Sequence, residues 1–184
     1  PRPVSIALHP TAAQAAGTAA LYRAAGKEVL MLATALPKGD TAQDLAVTFE
    51  SHARALSEAV AVLDPGTGGF QNNRPLATEA VPIIKDQGRG LITWAEGLNA
   101  GDQVARREGV PSAVIFRRLD ADGESPAVMR RYLDRAAFKA AQDGRVIVAA
   151  KASADTMAAL LEWTVEGRAG TVALAPASAL LKAE

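Results

Sequence analysis

The chain has 184 residues, 20 basic against 20 acidic side chains, no cysteine, and 49% apolar residues with only 4% aromatic. A chain of this length buries roughly 70% of the surface its unfolded form exposes, so one domain over residues 1–184 is expected, with no need of disulfides or a structural metal. Zero net charge supplies no long-range field to recruit nucleic acid, the lack of cysteine excludes thiolate nucleophiles and sulfur-bound zinc, and no apolar run reaches the ~20 residues that span a bilayer.

Short β-type runs alternate with helical stretches, the pattern of an α/β fold with a largely parallel sheet. About seven strands are predicted: Val4 to Leu8, Glu28 to Leu32, Thr67 to Phe70, Gly90 to Trp94, Ala113 to Phe116, Val146 to Ala150 and Thr171 to Ala175. Thr11 is read as the cap of a helix ending at Ala25, with Gly26 as its left-handed stop, and Ser51 as the cap of one reaching Leu63. Thr78 and Gly88 bracket another. Ser125 and Pro126 open a helix whose apolar positions Val128, Tyr132, Leu133, Ala136 and Ala140 recur at helical spacing until Gly144. Ser153 opens the last long helix, with Met157, Leu160, Leu161 and Val165 expected to face inward. The segment from Ala33 to Val47 lacks periodicity and is a candidate surface loop. The 41 alanines predict helices that pack closely and a core poor in aromatics. The chain opens at Pro1 without an initiator Met or a signal-peptide pattern, so a mature or trimmed product with an unseen upstream segment is expected.

Chemistry-bearing patterns are sparse. His9 and His52 are isolated, without a partner at metal-binding spacing, and read as structural or surface residues. The run Asp64-Pro65-Gly66-Thr67-Gly68-Gly69 is read as a turn leading into a strand; a phosphate cradle would need a following helix N-terminus. Asp120 to Glu124 is a turn before the Ser125 helix, since its glycine falls too early for a calcium loop. No G-x-S-x-G elbow is present, and a nucleophile-histidine-acid triad is not expected. Glu50, Glu58, Asp64, Asp86, Glu96 and Asp102 read as mostly solvated. The arginine pairs Arg106-Arg107, Arg117-Arg118 and Arg130-Arg131 have acidic neighbours in Glu108, Asp120 and Asp134 and read as solvated faces.

Several segments in order carry a family resemblance. They are Pro3-Val4-Ser5-Ile6-Ala7-Leu8-His9-Pro10 before an alanine-rich helix, Ala25 to Leu32, Gly69-Phe70-Gln71-Asn72-Asn73, and Gly90-Leu91-Ile92-Thr93-Trp94. Gly109-Val110-Pro111, the strand from Gly144 to Ala150, Thr156 to Trp163 and Val172 to Ser178 complete the set. Together they resemble the divergent polysaccharide deacetylases, over the whole chain. The resemblance implies a distorted (β/α) barrel, with the family's first strand and its adjacent aspartates missing before Pro1. It also implies metal-assisted hydrolysis of an acetyl group, in which a divalent ion polarises the carbonyl and activates water.

At the positions where that family carries metal ligands, this chain departs from it. The strand expected to bear a histidine reads Leu30-Met31-Leu32-Ala33, Asn-Asn-His becomes Asn72-Asn73-Arg74, an expected aspartate is Ala95, and an expected Gly-His is Ala150-Lys151. Charged Arg74 and Lys151 would repel a dication at short range. The expectation is therefore a catalytically inactive deacetylase-like domain, without metal or cofactor, that serves as a binding or interaction module in the bacterial envelope. Its ligand-binding residues would be Asn72, Asn73, Arg74 and Lys151 as donors, with Trp94 as a stacking face or as core packing. A glycan or an envelope protein is the expected partner, nucleic acid is not, and a periplasmic location follows from the resemblance, with an anchor in the upstream segment as an option. The alternative is a metal-dependent deacetylase whose ligands lie upstream or at other positions. A third reading is a plain interaction module, which an exposed apolar patch would favour.

Overall fold

The computed structural model describes residues 3–36, 42–165 and 168–182. Strand β1 (Ser5–Leu8), helix α1 (Ala15–Ala24) and strand β2 (Glu28–Leu32) form the first β-α-β unit. They are followed by α2 (Ala42–Ala55), β3 (Ala61–Leu63), α3 (Arg74–Asp86), β4 (Gly90–Trp94), α4 (Ala100–Glu108) and β5 (Ser112–Arg118). Helix α5 (Pro126–Asp143), β6 (Ile147–Ala149), α6 (Ala154–Val165) and two short 3-10 turns complete the order. Strands pair in chain order from β1 to β6, with parallel registers such as Ile6 to Val29, Met31 to Val62 and Val62 to Leu91. Parallel crossovers are right-handed, so strands laid down in chain order put their helices on one face. That is the winding of a (β/α) barrel, where a doubly wound sheet reverses its strand order. The fold is thus α/β of the distorted (β/α)-barrel class, with six strands among the described residues.

The chain divides into two compact units, the first running to Val114 and resuming at Pro176, the second spanning Ile115–Ala175. In the first, Val29, Met31, Val62 and Leu91 of the strands pack with Phe49, Phe70, Ile84 and Val104. Strand β4 is buried along its whole length, as expected of an interior parallel strand covered on both faces. At its start Arg89, only 7% exposed, donates to the Leu56 and Ala59 carbonyls, each at 3.0 Å, and to Gln87 Oε1 at 2.6 Å. A cation there meets the carbonyl-rich exit of α2. In the second unit, Leu119, Met129, Leu133, Ala159 and Trp163 form a separate core.

Several expectations are corrected. Thr67 to Phe70 is a turn, and the third strand is β3 instead, within the stretch read as the end of the Ser51 helix. The run Ala59-Val60-Ala61-Val62-Leu63 is apolar throughout, and periodicity cannot tell a buried strand from a buried helix in so short a run. Ser51 lies inside α2. Thr171 to Ala175 forms no strand, Thr171 being the end of a 3-10 turn. Helix α1 begins after Gln14 rather than at Thr11, and α3 begins at Arg74, capped by Asn73, with Thr78 inside it. Helix α4 was unforeseen; Asn99 caps it by accepting from Asp102 N at 3.2 Å, and Gly109 ends it. Of the segment read as a loop, Ala42 onward belongs to α2, and residues 37–41 lie outside the described residues.

Helix α5 runs as expected from Pro126 to the stop at Gly144, though it buries Met129 beside Leu133 and Ala136. Helix α6 is rotated from its expected setting. It buries Thr156, Ala159 and Trp163, whereas Met157, Leu161 and Val165 are exposed and Leu160 is only partly covered. This helix is apolar nearly all round, so spacing alone did not select a face. Trp163 does, through its indole N–H donated to Asp134 Oδ1 at 2.9 Å.

Candidate functional site

In barrels of this winding, functional side chains sit where parallel strands end. At the end of β1 the exposed His9 lies 3.4 Å by Nδ1 from Thr34 Oγ1, which follows β2. At the end of β3 is Asp64, fully buried. Its carboxylate accepts from the backbone N–H of Gly66 and Phe70, each at 2.7 Å, and of Gln71 at 2.9 Å. Burial pushes the Asp64 carboxyl above its ordinary range, against the opposing pull of those three donors. A side chain at Gly69 would collide with this carboxylate.

The glycine-rich run is therefore a turn that leads into helix α3, not into a strand. A helix does follow, yet the loop is no phosphate cradle, because a carboxylate of the chain itself already takes the N–H donors of Gly66, Phe70 and Gln71. Asp64 and Asp102 also depart from the solvated reading. Asp102, 8% exposed, accepts from Ser112 Oγ and Arg106 Nε, both at 2.9 Å.

The loop after β3 is tied to the loop after β4. Gln71 is buried and bridges them, accepting from Trp94 N at 2.8 Å and donating to the Glu96 carbonyl at 3.2 Å. Trp94 donates its indole N–H to the Asp64 carbonyl at 2.7 Å. Asn72 Oδ1 accepts from Asn99 N at 3.0 Å, and Asn99 Nδ2 donates to Thr93 Oγ1 at 2.9 Å. Two loops otherwise free to move become one platform.

Of the predicted binding residues, Asn72, Asn73 and Arg74 lie together and exposed on this platform. Asn73 caps α3 by accepting from Leu76 N at 3.2 Å, which leaves its amide N–H groups free of that bond. Arg74 donates one N–H to Gln103 Oε1 at 2.7 Å. Trp94 is 5% exposed and packs beside Gly66, so its ring supports the platform from beneath. Lys151 belongs to the second unit, where it follows β6 with its side chain exposed and its backbone N–H on Asp120 Oδ2 at 3.0 Å. Sequence reasoning missed Asp64, Gln71 and Asn99 as the residues that shape the loops. Only Asp64 offered a signal, as an acid placed between an apolar run and a glycine-rich turn.

The donor set does not suit a metal ion. Among the described residues no three side chains of His, Asp or Glu gather into a metal-holding group. On the platform itself Asp64 is spent on backbone donors and Arg74 brings a fixed positive charge.

The strand order and the parallel registers define a (β/α)-barrel-type domain. The sequence makes the assignment: the chain belongs to the divergent polysaccharide deacetylase family, whose model matches residues 1–181. The crystal structure of an uncharacterized protein from Agrobacterium tumefaciens is similar in fold, with a TM-score of 0.82 at 18% identity. The match covers 96% of this chain and 77% of that one. No curated protein matches this sequence. No described helix is long and apolar enough to cross a membrane.

Proposed function

We propose that this member of the family is a catalytically inactive, deacetylase-like domain that binds a ligand, a glycan or an envelope protein, through its strand-end platform in the periplasm. The observation that carries the reading is the replacement of imidazole and carboxylate donors by Arg74, Ala95 and Lys151 where the family resemblance expects metal ligands. A guanidinium cannot be deprotonated to serve as a ligand, and an ammonium serves poorly. What remains is a donor surface. Asn72, Asn73 and Arg74 present N–H groups suited to hydroxyl or carboxylate oxygens, Trp94 holds the loop beneath them, and Lys151 is proposed as a separate exposed donor on the second unit.

Calorimetric titration of metal-free protein with Zn²⁺, alongside acetate release from N-acetylglucosamine oligomers, tests the inactive assignment. The expected result is no stoichiometric high-affinity site and no acetate. Tight one-to-one binding with acetate release would overturn it in favour of a metal-dependent deacetylase with ligands at other positions. For the binding surface, Arg74→Ala and Lys151→Ala are each expected to weaken retention of the protein on peptidoglycan or its fragments. Unchanged retention of both would remove those residues from the proposal.

A further inference from the structure

The second unit carries a surface that the strand-end platform does not use. Strands point successive side chains to opposite faces, yet Phe116 and Arg117 of β5 both meet helix α5. Lys139 Nζ lies 5.4 Å from the centre of the Phe116 ring, and the Arg117 guanidinium stacks 3.9 Å above the Tyr132 ring. The cause is a register shift between Ile115 and Arg117 in the β5–β6 pairing. Such a bulge re-aims a side chain and lets two neighbours face one helix.

On α5 itself, Arg135 lies four residues after Arg131, and Phe138 and Lys139 three and four after Arg135, which places them on one side of the helix. Arg131 and Arg135 are exposed, and Phe138 is 68% exposed. The Arg135 guanidinium also lies 6.0 Å from the Tyr132 ring. Neighbouring charges are neutralised: Arg130 pairs with Glu162, and Lys139 with Asp143 at 2.6 Å. Among the described residues, Arg117, Arg131 and Arg135 have no carboxylate partner. The face thus gathers three of the eight aromatic residues of the chain with three uncompensated guanidinium groups.

We propose that this α5–β5 face binds an acidic polysaccharide, with Arg117, Arg131 and Arg135 on its carboxylates and Phe138 against a sugar ring. Stacking engages the face of a guanidinium and leaves its N–H edges for a planar, bidentate anion such as a carboxylate. The electron-rich face of Phe138 suits the C–H groups of a pyranose ring. Charge complementarity selects an anionic ligand, and the exposed Phe138 ring beside the arginines favours one built of sugar rings. The arginine pairs read from sequence as solvated faces are here divided, one member of the Arg130-Arg131 pair neutralised and the other open.

Affinity electrophoresis of the full chain through gels containing polygalacturonate, with calorimetry against oligogalacturonate, tests the proposal. Retardation is expected, with none by neutral cello-oligosaccharides. Phe138→Ala and the double variant Arg131→Ala/Arg135→Ala are each expected to weaken binding about tenfold, the scale of one stacked ring. These residues are exposed, and circular dichroism checks that the variants remain folded. Three results would overturn the proposal: no retardation by polygalacturonate, tighter binding of oligothymidylate than of oligogalacturonate, or loss of binding in Arg74→Ala with none in Phe138→Ala. The last would move the glycan to the strand-end platform. The Zn²⁺ titration bears on the inactive assignment alone, so either proposal can fail without the other.

Discussion

Replacing Asp64 by alanine is the sharpest test of how the platform is held. The carboxylate accepts three backbone N–H groups, two of them in fully buried bonds to Phe70 and Gln71 and one in a half-buried bond to Gly66. An N–H left without an acceptor in the interior costs about 1–3 kcal/mol, so the three together amount to roughly 3–9 kcal/mol. Removal of a buried charge offsets part of that, and a net loss of about 3 kcal/mol is expected. Asp64→Asn keeps one oxygen but turns an amide N–H₂ toward a backbone donor, and is expected to lose about 1 kcal/mol. Urea unfolding followed by fluorescence measures both. Trp94, bonded to the Asp64 carbonyl, reports on the platform, and a Trp163→Phe background removes the other tryptophan. If both variants unfold within 0.5 kcal/mol of the parent, taken as roughly the scatter of neutral surface changes, the carboxylate does not organise the loop.

Arg89→Ala removes donors from the Leu56 and Ala59 carbonyls and from Gln87; a loss of about 3 kcal/mol and a midpoint lower by roughly 6–12 °C are expected by calorimetry, and a shift under 2 °C, well below that estimate, would show that the arginine is dispensable. Burial holds the His52 imidazole below its ordinary pKa of about 6.5, so the unfolded chain takes up its proton first. Stability contributed by this residue is full above that value and declines as pH falls toward the folded-state pKa. His52→Leu should flatten this slope between pH 7 and 5, and an unaltered slope would assign it to other groups. On α6, Trp163→Ala is expected to lose about 3–5 kcal/mol and Leu161→Lys less than about 0.5 kcal/mol; the reverse order would mean that the helix presents the opposite face to its core.

Much of the architecture was readable because it is written in short-range chemistry. Val29–Leu32 is an apolar run, Gly90–Trp94 is apolar but for Thr93, and α5 has a proline at its first turn and a glycine at its stop. The alternation of such runs implies parallel winding without any knowledge of contacts. Three features were not readable. The strand Ala61–Leu63 and the facing of α6 lie in segments whose apolar residues fit two periodicities or every face. The acid at Asp64 resembles any surface carboxylate until its loop folds back over it.

The platform depends on pairs far apart in the chain: Gln71 with Trp94 is a separation of 23 residues, Asn72 with Asn99 one of 27. Asn72 and Asn73 lie in the loop after β3 and Arg74 opens α3, whereas the sequence reading set all three after a strand at Thr67 to Phe70; the bonds that hold the loop were not legible. The α5–β5 face likewise exists only because a bulge turns Phe116 and Arg117 toward one helix. Sequence by itself determined the class of fold, both ends of α5, the glycine stop of α1 and the absence of cysteine chemistry, since each follows from residue type and spacing within a turn or two of chain. Tertiary structure decided which faces are covered, which carboxylates are buried and which cations stay uncompensated, because burial and hydrogen-bond satisfaction are properties of neighbours in space.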